Sequence, residues 1–165
     1  MLLYLLRHGV AIDREDPECP DDPERWLTPE GIEKTRGVAL GLRKLGIHPD
    51  IILSSPLRRA IETAEIAAAE LGHAKGKIHR TPALLPEADP AALLKEVMQI
   101  RKDEILCAGH APHLDEMIAH AVGVRFSFTA LKKAGAACLE FDSHAASRGK
   151  LLWLFPPKVL RQLGE

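Results

Sequence analysis

The sequence has 165 residues, the length of one ordinary domain, so we expect residues 1–165 to form a single folding unit. Hydrophobic residues make up 46% and charged residues 27%, a globular composition that excludes a disordered chain. The 22 basic and 23 acidic residues leave a net charge of −1, which argues against nucleic acid as a partner. The first apolar run ends at Arg7 and is too short for a signal segment or a bilayer span. We therefore expect no membrane partner. The three cysteines are an odd number without metal-type spacing, which fits a reducing cytoplasm.

Short apolar runs alternate with longer helical patterns along the chain. The apolar runs are almost uninterrupted, which is typical of strands buried on both faces of a parallel sheet. In chain order we predict strand 2–6, helix 29–45, strand 51–53, helix 56–71, strand 78–81, helix 90–101, strand 105–108 and helix 112–121. Two further runs, 136–141 and 150–155, are separated by a polar stretch and predict a hairpin at the edge or end of the sheet, followed by a short helix over 157–163.

Each of the four long helices is predicted to open with a proline at its first position: Pro29, Pro56, Pro90 and Pro112. Proline is suited to that position because its missing N–H would have no partner inside the helix. The alternation of strands and helices predicts an α/β fold, a three-layer α/β/α sandwich around a mostly parallel sheet. The position of the hairpin strands in the sheet order stays open.

Basic and imidazole side chains follow three of the predicted strands, where open α/β sheets bind ligands. Arg7 and His8 follow the first strand, Arg58 and Arg59 follow the second, and His110 follows the strand at 105–108. Arginine offers a planar fork of donors that matches phosphate oxygens and stays charged at any relevant pH. A neutral imidazole among such cations is a competent nucleophile toward phosphorus. Together these residues predict a phosphate site.

The same residues carry a resemblance to a known family. The sequence resembles the histidine phosphatase superfamily with its phosphoglycerate mutase-like fold, and more narrowly the SixA-type phosphohistidine phosphatases. The matching segments are LLYLLRHG at 2–9, RWLTPEG at 25–31, SSPLRRAIETA at 54–64 and GHAPHL at 109–114.

The resemblance implies a role for each matching position. His8 would be the phosphorylated nucleophile, Arg7 and Arg59 would clamp the phosphoryl oxygens, and His110 would hold the phosphoryl group as a cation. Arg59 is preferred to Arg58 because it directly precedes the Ala-x-x-Thr pattern. Arg25 would reach the substrate from the first long loop. No metal or cofactor is implied.

Glu87 is the candidate for a general acid, although a phosphoramidate breaks its P–N bond without one. The partner implied is a protein phosphohistidine, because the short loops around the site leave few residues to recognise a small phosphate compound. The oligomeric state stays open.

Three other interpretations remain. A metal-dependent hydrolase could use His113, Glu116 and His120, which share one face of the fourth helix, although no HExxH pattern is present. The chain could act on a small phosphate ester or a nucleotide, in which case Glu87 should matter. It could also be a catalytically silent phosphate-binding module.

Overall fold

A computed structural model describes residues 1–73 and 77–165. Its strands are β1 (Leu2–Arg7), β2 (Ile51–Ser54), β3 (Ile78–Arg80), β4 (Glu104–Gly109), β5 (Ala136–Glu140) and β6 (Lys150–Phe155). Its helices are α1 (Pro29–Lys44), α2 (Arg58–Glu70), α3 (Pro90–Ile100), α4 (His113–Val122) and α5 (Pro157–Gly164). Short 3₁₀ turns lie at Asp22–Glu24 and Pro82–Leu84.

The described strands form one sheet in the order β3-β2-β4-β1-β5-β6. Strands β1 to β4 run parallel, whereas β5 and β6 form an antiparallel hairpin that places β6 at the edge. The predicted α/β sandwich with a mostly parallel sheet is confirmed. Because β1, β2 and β4 are parallel neighbours, their carboxyl ends meet at one edge of the sheet, where the residues that follow them converge.

The central strand β1 has apolar side chains on both faces, which explains its unbroken hydrophobic run. Leu3 and Leu5 pack into the cluster beneath α3 and α4, whereas Tyr4 and Leu6 pack into the cluster beneath α1, α2 and α5. Burial on both sides, together with hydrogen bonding to β4 and β5, fixes the end of β1 in place. Among the described residues, none of the helices has both the length and the hydropathy needed to cross a bilayer.

Two of the four proline predictions are wrong in position. Pro29 and Pro90 do occupy first helical positions, after the capping side chains of Thr28 and Asp89. Helix α2, however, begins at Arg58, because Leu57 is still extended and its N–H donates to Ser55 Oγ at 3.3 Å. Pro112 is the residue before α4 rather than its first residue.

Helix α5 lies very close to α1 at Gly41. A Cβ added at that position would lie 1.9 Å from the carbonyl oxygen of Leu160. The absence of a side chain at Gly41 is therefore what lets the two backbones approach. By contrast, a Cβ at Gly37, one turn earlier, would first meet the Arg161 side chain, at 3.1 Å.

Candidate active site

His8 lies directly after the central strand and is held by backbone hydrogen bonds. Its N–H donates to the carbonyl of Gly109 at 2.9 Å, which joins the ends of β1 and β4. Its ring Nδ1 lies 2.7 Å from the carbonyl oxygen of Gly9. A carbonyl can only accept, so Nδ1 carries the proton and Nε2 keeps its lone pair. Burial lowers the pKa of His8 to about 3; the Gly9 hydrogen bond opposes the shift and nearby basic side chains add to it.

A cavity of about 540 Å³ opens above His8. It is lined by Arg7, His8, Asp13, Arg14, Glu15, Arg25, Arg59, Pro86, His110, Ala111 and Lys133. The structure thus brings five of the six candidate site residues to one place, from four separate segments of the chain. Four arginines and a lysine face two carboxylates there, so basic side chains predominate and the cavity is suited to an anion.

His110 faces His8 from the end of β4. The two ring centroids are 5.1 Å apart, and His110 Nε2 lies 2.8 Å from Ser55 Oγ, with both residues buried. Burial lowers the pKa of His110 to about 3; the nearby His8 and Arg59 side chains add to this shift, and Asp22 opposes it. With no phosphoryl group bound, the His110 imidazole is therefore neutral at pH 7. The cation that the resemblance implied therefore requires the negative charge of a bound phosphoryl group.

The two adjacent arginines at the start of α2 have different surroundings. Arg59 is only 3% exposed and lines the cavity. Arg58 turns outward, pairs with Glu62 at 2.8 Å and lies over the ring of Trp26 at 5.4 Å. The placement of Arg59 agrees with the choice made from the motif, and Arg58 has a structural explanation.

Arg7 lines the cavity from the end of β1. Its Nη1 donates to the carbonyl of Leu131 at 2.6 Å. Its buried Nε has no hydrogen-bond partner among the described residues. The guanidinium is therefore held by one bond while part of its donor capacity stays unused.

Asp22 binds three arginines and was not found from the sequence. Its Oδ1 accepts from Arg14 and Arg25 at 3.0 and 3.1 Å, and its Oδ2 accepts from Arg59 at 3.2 Å. Arg59 also donates to the Asp22 backbone carbonyl at 2.9 Å. Partial burial opposes ionisation, but these arginines outweigh it and lower the pKa of Asp22 to about 2. The i, i+3 spacing of Asp22 and Arg25 was the available signal.

Arg25 itself is buried and stabilises the first long loop through hydrogen bonds to its backbone. Its Nε and Nη2 both donate to the carbonyl of Ile12, at 3.1 and 2.7 Å. Because Arg25 also lines the cavity, the structure gives it a bracing role beside the substrate contact expected from the sequence.

Glu87 and the helical histidine face lie elsewhere. Glu87 is exposed and does not line the cavity, although its neighbour Pro86 does. On α4, His113 is buried while Glu116 and His120 are exposed. Within residues 1–73 and 77–165, no three His, Cys, Asp or Glu side chains are grouped to hold a metal ion. The structure therefore does not bring the proposed metal ligands together.

Comparison with known proteins places these observations in a family. The sequence matches the histidine phosphatase superfamily (branch 1) over residues 3–85. An uncharacterized protein of Picosynechococcus is 39% identical over 97% of this chain and 99% of its own length.

Two solved structures are similar in fold. The protein histidine phosphatase SixA, complexed with tungstate, superposes with a TM-score of 0.84 at 23% identity, covering 97% of this chain and 99% of its own. A phosphoserine phosphatase mutant of Entamoeba histolytica, in complex with phosphoserine, superposes with a TM-score of 0.69 at 18% identity, covering 95% and 98%. Both likenesses support the phosphoglycerate mutase-like fold. The family match spans half of the chain and the Picosynechococcus relative nearly all of it, so the chain belongs to the histidine phosphatase superfamily.

Proposed function

We propose that the protein is a metal-independent cytoplasmic phosphatase that uses His8 as its nucleophile and acts on phosphohistidine in proteins. One observation carries the proposal. Nδ1 of His8 donates to the Gly9 carbonyl, which leaves an unprotonated Nε2 beside a cavity rich in basic side chains.

The reaction has two steps. Nε2 of His8 attacks phosphorus, the P–N bond of the substrate breaks, and the leaving imidazole takes a proton from solvent. Water then attacks the phosphorus of phosphorylated His8, which releases inorganic phosphate and restores the imidazole. Arg7 and Arg59 stabilise the charge on the phosphoryl oxygens in both steps, a role in which fixed cations can replace a metal ion.

His110 serves as a hydrogen-bond donor to the phosphoryl group. The Leu57 N–H already donates to Ser55 Oγ, so the Ser55 hydroxyl proton is available for Nε2 of His110. The single ring proton of neutral His110 then lies on Nδ1, which has no hydrogen-bond partner among the described residues. A bound phosphoryl dianion raises the pKa of this imidazole and favours its cationic form.

The exposed position of Glu87 supports a substrate that needs no general acid, as a phosphoramidate does not. The likeness to SixA, described as a protein histidine phosphatase, supports the same substrate. A small phosphate ester is the second candidate. A cavity of about 540 Å³ is large enough for a small molecule, and the Entamoeba structure holds phosphoserine.

The test compares wild type with His8→Ala on a phosphohistidine-bearing protein and on p-nitrophenyl phosphate, with EDTA present. We expect wild type to release phosphate from phosphohistidine and the variant to release none. Activity that needs a metal, or that survives the loss of His8, would contradict the mechanism. Glu87→Gln separates the two substrate classes: efficient ester turnover that this variant cripples would favour the small ester. A wild type silent on both substrates would favour a phosphate-binding module.

A further inference from the structure

Lys133 lines the cavity, but none of the sequence motifs includes it. It lies in the segment before β5, and this segment is fixed to the strand that carries His8. The N–H of Ala134 lies 3.1 and 3.0 Å from the carbonyls of Arg7 and His8. The Leu131 carbonyl accepts from Arg7, as described above. The backbone on either side of Lys133 is therefore held in register with the nucleophile.

Asp115 adds a second anchor to the same segment. Its Oδ1 accepts from the N–H of Leu131 at 2.9 Å and from the hydroxyl of Thr129 at 2.6 Å. Ala134 has a φ of +61°, a left-handed conformation that non-glycine residues rarely adopt. The segment therefore holds an unusual turn directly after Lys133, and its anchors fix where the lysine side chain starts.

Lys133 differs from three of the arginines that line the cavity in its lack of an acidic partner within the described part of the chain. Arg14, Arg25 and Arg59 all bind Asp22, whereas Lys133 forms no ion pair or side-chain hydrogen bond within the described part of the chain. Lys133 is an exposed residue, whereas His8 is only 7% exposed. A phosphoryl group on His8 would lie against the buried part of the cavity lining, whereas Lys133 belongs to its exposed part.

The acidic side chains that line the cavity lie on a different segment. Asp13 and Glu15 belong to the loop after β1. Arg14 lies between them but is paired with Asp22, so the two carboxylates disfavour a second negative group on their side. An anionic substituent of the substrate is therefore directed toward Lys133.

We propose that Lys133 forms a second anion subsite, which binds a carboxylate carried by the substrate beside its phosphoryl group. This inference rests on the proposed function, because the phosphoryl group must lie against the buried part of the cavity lining. The preferred substrates are then phosphorylated compounds with a neighbouring carboxylate, supplied by an acidic side chain of a phosphoprotein or by a small molecule.

Binding tests the subsite without turnover. Phosphonoacetate and 3-phosphonopropionate each carry a carboxylate, whereas methylphosphonate and ethylphosphonate have the same phosphonate without it. We expect wild type to prefer the carboxylates about three- to tenfold by calorimetry, the range of a partly screened ion pair. Lys133→Gln should abolish this preference. Lys132→Gln is the matched control, because Lys132 is exposed but does not line the cavity. A preference that survives in K133Q, or that K132Q also removes, would overturn the subsite.

Turnover separates this proposal from the proposed function and identifies the source of the carboxylate. Phosphohistidine and phosphohistamine differ only in the carboxylate, and phosphohistidine peptides can carry Glu or Gln beside the modified residue. Failure of wild type to hydrolyse any of these would refute the phosphatase, while the binding preference would still decide the role of Lys133. If wild type prefers Glu peptides to Gln peptides, K133Q loses this preference, and phosphohistidine shows no advantage over phosphohistamine, the carboxylate is supplied by a phosphoprotein. If the preference that K133Q removes is seen only for phosphohistidine over phosphohistamine, the carboxylate is supplied by a small molecule.

Discussion

Replacing Ser55 with alanine should impair catalysis without touching a residue that contacts the phosphoryl group. Ser55 Oγ lies 2.8 Å from His110 Nε2, and the two residues are 0% and 2% exposed. Because both residues are buried, we expect the lost hydrogen bond to stay unreplaced. His110 would keep its ring but lose the partner that fixes its orientation and its tautomer.

The size of the effect follows from that burial. Leaving a buried polar group without its partner costs about 1–3 kcal/mol. If the whole cost falls on the transition state, at about 1.36 kcal/mol for each factor of ten, kcat/KM drops about 5- to 150-fold. The assay is phosphate release from a phosphohistidine protein, with kcat and KM determined separately.

Ser54→Ala is the matched control. Ser54 is equally buried, but its hydroxyl donates to the Ser55 carbonyl at 2.9 Å and not to His110. Both variants should lose similar stability in urea, and only Ser55→Ala should lose activity beyond that. A kcat/KM within twofold of wild type for Ser55→Ala, or an equal loss for Ser54→Ala, would refute the positioning role.

Three further predictions concern charge and packing. The pKa of Asp22 is lowered to about 2 from its ordinary 3.8. The carboxylate therefore stabilises the fold above about pH 4, and this contribution is lost as the pH falls through 2. Between pH 5 and pH 2, the Tm of Asp22→Asn should drop less than that of wild type. His8 and His110, each with a pKa of about 3, should show neutral imidazole signals by NMR down to pH 5, and a midpoint near 6.5 would contradict the burial argument. Gly41→Ala forces α1 from α5 and should cost about 1–3 kcal/mol in urea unfolding. Gly37→Ala should leave the urea midpoint unchanged or raise it, because only a flexible side chain lies near its Cβ.

Much of the fold could be predicted because burial leaves a clear pattern in the sequence. The strands at β1, β2 and β4 lie within two residues of their predicted bounds, because short, almost uninterrupted apolar runs are typical of strands buried on both faces of a parallel sheet. The start of α2 could not be predicted. It depends on whether the Ser55 hydroxyl caps a turn before the helix, and the sequence fits both outcomes.

The site was predictable where its residues follow strands. Arg7, His8 and His110 do so, because the ends of parallel strands must meet. Asp22 and Lys133 were missed because a single Asp or Lys in a loop carries no distinctive pattern. Ser55 lies in a matching segment, but its contact with His110 depends on the packed structure. The lowered pKa of His110 in the free protein was also out of reach, because desolvation depends on the whole packed structure.

The hydrogen bonding of β1 to both β4 and β5 has a consequence for how substrate preference can change. Amide hydrogens of a central strand exchange with solvent only when the whole fold opens, whereas loops exchange by local fluctuation. His8 is attached to this slowest-exchanging part of the sheet, while Asp13, Glu15 and Lys133 lie on other segments that line the cavity. Substitutions in those segments can alter which molecules are accepted without loosening the nucleophile. Selection on specificity and selection on stability can therefore act on separate residues of the same small protein.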